Sequence, residues 1–253
     1  MLPFPAATTR EEKIEIINEV KEKLLNTYKE NILAIGAYGS ISLNTDGPYS
    51  DIELHVITKD GFKLKNHEFI YDRFKLEIGM IEESEIIKSA KVVDESWAIT
   101  AGVYINILEI YDPKNLFEEL KKLPYENSDE AFRVAMKEFM VWEPFETVAK
   151  LRNNFEINNF GYIPIGAKDL TWQTAKLIGL ANKQYFSTRA RTLEEAISMD
   201  SKPAGFKELA SAVMEGSLSD KEEVYQKCES LWTGLNDWFK ELGIDYKTSH
   251  LPF

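Results

Sequence analysis

Ile32 to Thr58 reads ILAIGAYGSISLNTDGPYSDIELHVIT, two apolar runs framing a polar turn. The first run, Ile32 to Tyr38, predicts a β-strand that stops at Gly39-Ser40, ahead of the turn-rich Asn44-Thr45-Asp46-Gly47-Pro48. The second, Asp51 to Thr58, predicts another strand. Alternate side chains of a strand share a face and lie roughly 7 Å apart, so Asp51 and Glu53 converge while Ile52 points inward. Two carboxylates on one face suit a hard cation such as Mg²⁺. A glycine that lets the backbone come close, followed by a serine opening a short helical turn, offers N–H groups and a hydroxyl to a polyphosphate.

Working outward, Thr9 and Glu12 form a capping box, and Ile17, Val20 and Leu24 recur at helical spacing as far as Tyr28. This amphipathic helix is expected to pack on the first strand. After the turn Lys59-Asp60-Gly61, His67 to Tyr71 and Phe74 to Met80 read as a hairpin around Asp72-Arg73. The alternation of Lys75-Leu76-Glu77-Ile78 allows a third carboxylate, Glu77, to stand beside the first two. Glu82 to Lys91 predicts a helix, Tyr104 to Ile110 a strand, and Asn115 to Lys121 a short helix.

From Ser128 the strand signals vanish. Helical periodicity runs through 129–153, 168–185, 193–199, 206–214 and 221–242. The expected architecture is α+β: a domain over 1–127 with a mixed sheet and flanking helices, then a helical-bundle domain over 128–253. The boundary is placed at Pro124 to Ser128.

At 253 residues, 44% hydrophobic and 28% charged, the chain has ordinary globular composition. Its net charge of -12 repels phosphate backbones and anionic membranes and attracts cations, arguing against nucleic-acid and membrane partners. Cys228, the single cysteine, excludes an intramolecular disulfide. Met1 to Arg10 lacks the basic and apolar regions of a signal peptide, so the expected location is cytoplasmic. The chain has no Walker A loop, no Gly-x-Gly-x-x-Gly and no Cys/His metal cluster.

A glycine-serine pair followed by an acidic dyad on the next strand resembles the polymerase-β-like nucleotidyltransferase superfamily. Ala34-Ile35-Gly36-Ala37-Tyr38-Gly39-Ser40 and Thr45-Asp46-Gly47-Pro48-Tyr49-Ser50-Asp51-Ile52-Glu53 are similar, more closely, to aminoglycoside nucleotidyltransferases of the kanamycin nucleotidyltransferase type. The likeness extends through Thr9-Arg10-Glu11-Glu12, Phe145-Glu146, Ala149-Lys150, Arg152-Asn153, Gly216 to Asp220 and Pro252-Phe253. The resemblance implies metal binding by Asp51 and Glu53, and nucleotide contacts from Gly39, Ser40, Ser50 and Lys150. It further implies a general base at Glu146, drug contacts from Glu77, Glu143 and Glu146, and a homodimer with active sites between subunits. The implied reaction is Mg²⁺-dependent transfer of AMP from ATP to an aminoglycoside hydroxyl, the 4'-hydroxyl. Spacing is compatible: Glu143, Glu146 and Lys150 fall at i, i+3 and i+7 on one helix face.

Two departures stand out. Leu43 replaces the family's arginine after the glycine-serine pair, leaving Lys75, Arg73 and Lys150 as substitutes for its phosphate contact. Pro144 removes a backbone donor just before Glu146 and should kink or restart the helix. His55 shares strand parity with Glu53 and reads as structural. The five tryptophans read mostly as core, with Trp142 near enough to Glu146 to stack on a nucleotide or sugar. Another small cationic acceptor, or a superfamily binding or antitoxin module, is the alternative function.

Overall fold

The run Ile32 to Ala37 is apolar and buried on both faces, whereas Ile52 to Thr58 and Phe74 to Glu82 alternate buried with partly exposed residues, so a sheet forms around the first run. In the computed structural model, residues 4–251 and 253 are described, and Met1, Leu2, Pro3 and Pro252 lie outside the described residues. The elements run α1 (Arg10–Tyr28), β1 (Ile32–Ala37), β2 (Ile52–Thr58), β3 (His67–Tyr71), β4 (Phe74–Glu82), α2 (Glu83–Ala90), α3 (Trp97–Thr100), α4 (Gly102–Ile105), β5 (Leu108–Tyr111) and α5 (Leu116–Leu120). There follow α6 (Asp129–Trp142), α7 (Pro144–Glu156), α8 (Ile163–Asn182), α9 (Thr192–Ser198), α10 (Phe206–Glu215) and α11 (Lys221–Glu241). The chain divides into two compact units, Met1–Val92 with Thr100–Asn127, and Val93–Ile99 with Ser128–Phe253.

The first unit holds a mixed sheet of order β3-β4-β2-β1-β5, with β2 and β4 parallel and the other pairs antiparallel. Helix α1 starts at the Thr9 capping box, with Glu12 N–H donating to the Thr9 hydroxyl and Thr9 N–H to the Glu12 carboxylate. Its Ile17 and Leu24 bury against Ile35, Leu54, Val56 and Leu76 on one sheet face. The opposite face meets α2 and α5 through Leu33, Ile57, Ile86 and Phe117. The hairpin turns at Asp72, which takes a left-handed φ of 52°. The strand expected over Tyr104 to Ile110 is shorter: Gly102 to Ile105 forms a helical turn, and only Leu108–Tyr111 pairs with β1. The turn brings Val103 and Tyr104 over His55, a long-range contact that overrides local strand propensity.

In the second unit α8 is central. Twelve of its twenty residues are buried, more than the single stripe of a surface helix, and α6, α7, α9, α10 and α11 all pack on it. The helix expected over 129–153 is two: α6 ends at Trp142, Glu143 leaves helical geometry at φ -120°, and α7 restarts at Pro144. Proline fits the first turn of a helix because its missing N–H would have had no partner there. Segment 93–99, expected with the sheet, belongs to this unit, since Trp97 packs edge-on to Phe132 at 4.9 Å and Phe186 N–H donates to Ala98 carbonyl at 2.8 Å. Cys228 is buried, which pushes its thiol up to about 12. Among the described residues, no helix is long and apolar enough to cross a membrane.

Candidate functional site

The acidic dyad lies where β2 begins. Glu53 is inside the strand and Asp51 one residue before it. Parallel pairing sets Glu53 directly beside Glu77, and the hairpin sets Glu77 beside Glu68, so three glutamates form a row across β2, β4 and β3. Like charges in adjacent register repel. Lys75, two residues before Glu77 on the same face, ion-pairs with Glu77 and reaches Glu68 at 3.2 Å and Asp51 at 3.5 Å. The Glu77 hydrogen bond raises the Lys75 pKa and keeps the amine charged. Glu53 is the carboxylate left least compensated: burial first, then Asp51 and Glu77, push it up to about 7, against a smaller pull from Lys75.

Those charges fit a divalent cation. Lys75 already shows a cation held by this patch, and burial with two carboxylate neighbours holds Glu53 back from ionising, a cost that a second cation would relieve. Among the described residues no group of three His, Cys, Asp or Glu side chains is placed to hold a metal ion by itself. Mg²⁺ characteristically takes one or two carboxylates and completes its sphere with substrate phosphates and water, which matches Asp51 and Glu53.

Gly39 lies over the dyad. Its φ is 68°, in the left-handed region that favours glycine, and a Cβ there would force the Glu53 carboxylate aside. Beyond it Ser40 lies in a series of turns, where its carbonyl accepts from Thr45 N–H at 3.0 Å; a regular helical turn does not form. Ser50 Oγ accepts from Gly47 N–H at 3.0 Å. The loop is pinned from α1 in a way that sequence reasoning missed. Lys13 Nζ lies 3.0 Å from Asp46 Oδ2, with side chains only 1% and 2% exposed, and donates to Gly47 carbonyl at 2.6 Å. Arg10 also pairs with Asp46 and donates to Ile41 carbonyl at 3.0 Å. Burial alone would raise the Asp46 carboxyl, but Lys13 and Arg10 hold it below the ordinary value.

His55 forms the packed rear of this site. Its ring stacks on Tyr38 at 4.2 Å, and Nε2 lies 3.1 Å from Val103 carbonyl. Burial pulls its pKa down to about 4, against the Val103 bond, so the ring is neutral. Burial, then Glu53, Glu77 and Asp51, raise the Tyr38 hydroxyl and keep it protonated.

The second unit positions the remaining predicted residues. Glu146 and Lys150 pair at 2.7 Å across one turn of α7, both more than half exposed. That hydrogen bond raises the Lys150 pKa. Glu143, at the break between α6 and α7, turns elsewhere: its Oε2 accepts from Gln173 Nε2 at 3.0 Å. Trp142 is 74% exposed, whereas Trp97 and Trp238 lie in the core. Of the three substitutes for the arginine missing at Leu43, each already has an acidic partner: Lys75 in the patch, Arg73 at Glu12 and Lys150 at Glu146. Glu68 was also missed, although the register around Asp72-Arg73 places it opposite Glu77.

Comparison with known proteins identifies the family. The family described as KNTase C-terminal domain matches residues 114–245. Relatives named aminoglycoside nucleotidyltransferase (4'), from Staphylococcus aureus and a Bacillus species, are each 32% identical over 98% of this chain and 99% of their own length. A crystal structure of a nucleotidyltransferase-like protein from Exiguobacterium sibiricum shares the fold, with a TM-score of 0.54 at 14% identity over 89% of this chain and 75% of that one. The chain therefore belongs to the aminoglycoside nucleotidyltransferase family that carries the KNTase C-terminal domain.

Proposed function

We propose that this chain transfers AMP from ATP to the 4'-hydroxyl of aminoglycosides such as kanamycin, working with Mg²⁺ as a cytoplasmic homodimer. The observation that carries the reading is the patch at the start of β2, where Asp51 and the paired Glu53 and Glu77 lie beside a loop that brings a left-handed glycine against the Glu53 carboxylate. The names of the relatives support the acceptor and the ring position.

In this reading Asp51 and Glu53 would hold Mg²⁺, which when bound neutralises and orients the triphosphate. Gly39, Ser40 and Ser50 cradle the phosphates through backbone and hydroxyl groups. The drug hydroxyl attacks the α-phosphorus in line, so one P–O bond forms as the bond to the pyrophosphate leaving group breaks. Glu146 takes the hydroxyl proton, and Lys150 offsets charge that builds on phosphorus. Glu77, Glu143 and Glu146 contact ammonium groups of the drug. The fixed placement of these groups supplies most of the rate gain.

The test is mass spectrometry of kanamycin incubated with protein, Mg²⁺ and ATP, beside an Asp51→Asn control. A gain of one AMP, absent in the control, is expected. No gain with several aminoglycosides and nucleotides sends the acceptor to another small cation and refutes the drug assignment.

A further inference from the structure

The second unit contains a cleft of about 530 Å³, within the size range of small-molecule sites. Asp94, Glu95, Glu138, Glu143 and Asp169 line it against a single cation, Lys176. The remaining wall is aromatic, from Phe139, Trp142 and Trp172. An acidic cluster alone would be a solvated surface. Here a second observation points to a ligand: Gln173, 7% exposed, reaches the cleft, and its Nε2 donates to Glu143 and to Thr147 Oγ1 at 2.9 Å. Its carbonyl Oε1 is a buried acceptor without a hydrogen-bond donor. Turning the amide over would set that oxygen against the Glu143 carboxylate, so the orphan acceptor is enforced. A buried acceptor left unmet costs about 1–3 kcal/mol, and a ligand N–H or O–H would remove that cost.

Lys176 indicates what the cleft accepts. Its ammonium lies 4.3 Å from the centroid of Phe139, so this wall already holds an alkylammonium against an aromatic face. Burial lowers its pKa even though Glu95, Asp94 and Glu143 act to raise it, which marks a partly dehydrated place where carboxylates act strongly.

We infer that this cleft is a subsite for an amine-bearing ring of the acceptor, with Glu138 and Asp169 pairing its ammonium groups, Trp172 covering its apolar edge and the Gln173 carbonyl accepting one of its hydrogens. The inference deepens the aminoglycoside reading above and rests on it for the ligand class. It assigns acceptor affinity to residues away from Glu146, which does not line the cleft.

The experiment uses the full chain and the variants Glu138→Gln, Asp169→Asn and Glu95→Gln, with thermal melts to confirm folding. Equilibrium binding of kanamycin A, and of its isolated 2-deoxystreptamine ring, is read from tryptophan fluorescence without nucleotide, and steady-state transfer is read separately. Each helix variant should weaken kanamycin binding and raise its KM about tenfold, one charge-assisted hydrogen bond's worth, with kcat and the KM for ATP within twofold. Glu95→Gln, outside the helices, removes a further carboxylate from the cleft wall and should weaken kanamycin binding in the same direction, so it carries the test where a helix variant fails to fold. Unchanged binding and KM in folded variants that still transfer AMP overturn the subsite and leave the function intact. If no aminoglycoside accepts a nucleotide, the function fails, and the fluorescence alone decides: ring binding lost in the variants sustains the cleft, and ring binding equal to the parent's overturns it.

Discussion

Replacing Glu53 with glutamine removes the charge that the metal-free fold tolerates least. Folded Glu53 keeps its proton to about pH 7, whereas an unfolded chain loses it near 4.5. The folded state thus binds more protons between these values, and stability falls as pH rises through that window, with the full penalty present above pH 7. At about 1.4 kcal/mol per tenfold change, the gap would cost on the order of 3 kcal/mol for a wholly buried carboxylate. Glu53 partly faces water, and screening leaves about 1–2 kcal/mol. In EDTA, urea denaturation at pH 8 should therefore show Glu53→Gln more stable than the parent by that amount, while at pH 4.5 the two should nearly coincide. The same substitution should abolish transfer. A variant no more stable at pH 8, or equally stabilised at both pH values, would refute the argument that uncompensated charge at Glu53 marks a cation site.

Other perturbations probe the remaining parts. Glu146→Gln should lower kcat by about 10²- to 10⁴-fold with the melting temperature unchanged, as for loss of a general base, and full activity would remove Glu146 from that role. Gly39→Ala should cost about 1–2 kcal/mol for its left-handed φ, and activity should fall further still because the added methyl displaces Glu53; calorimetry beside kinetics checks both. Lys13→Met leaves Asp46 buried with Arg10 alone and should destabilise the first unit by about 3 kcal/mol, seen in urea denaturation, while raising the KM for ATP.

What could be read in the sequence was local. The dyad was legible because strand alternation dictates that Asp51 and Glu53 share a face, and the hairpin because Asp72-Arg73 interrupts two such runs. The restart at Pro144 followed from proline chemistry. The unread features depend on partners far along the chain. Lys13 looks like any polar residue of an amphipathic helix, and its buried pair with Asp46 spans 33 positions. Tyr104 carries strand propensity, yet the need to cover His55, 49 residues earlier, draws it into a helical turn.

The clamp of Lys13 and Arg10 on Asp46 has a thermodynamic consequence for nucleotide capture. A loop held by buried ion pairs and backbone acceptors loses its conformational freedom when the chain folds, rather than when a ligand arrives. In the proposed reaction a phosphate tail would meet a loop whose backbone is already ordered. Association then has the character of a key entering a finished lock, with little ordering entropy left to lose.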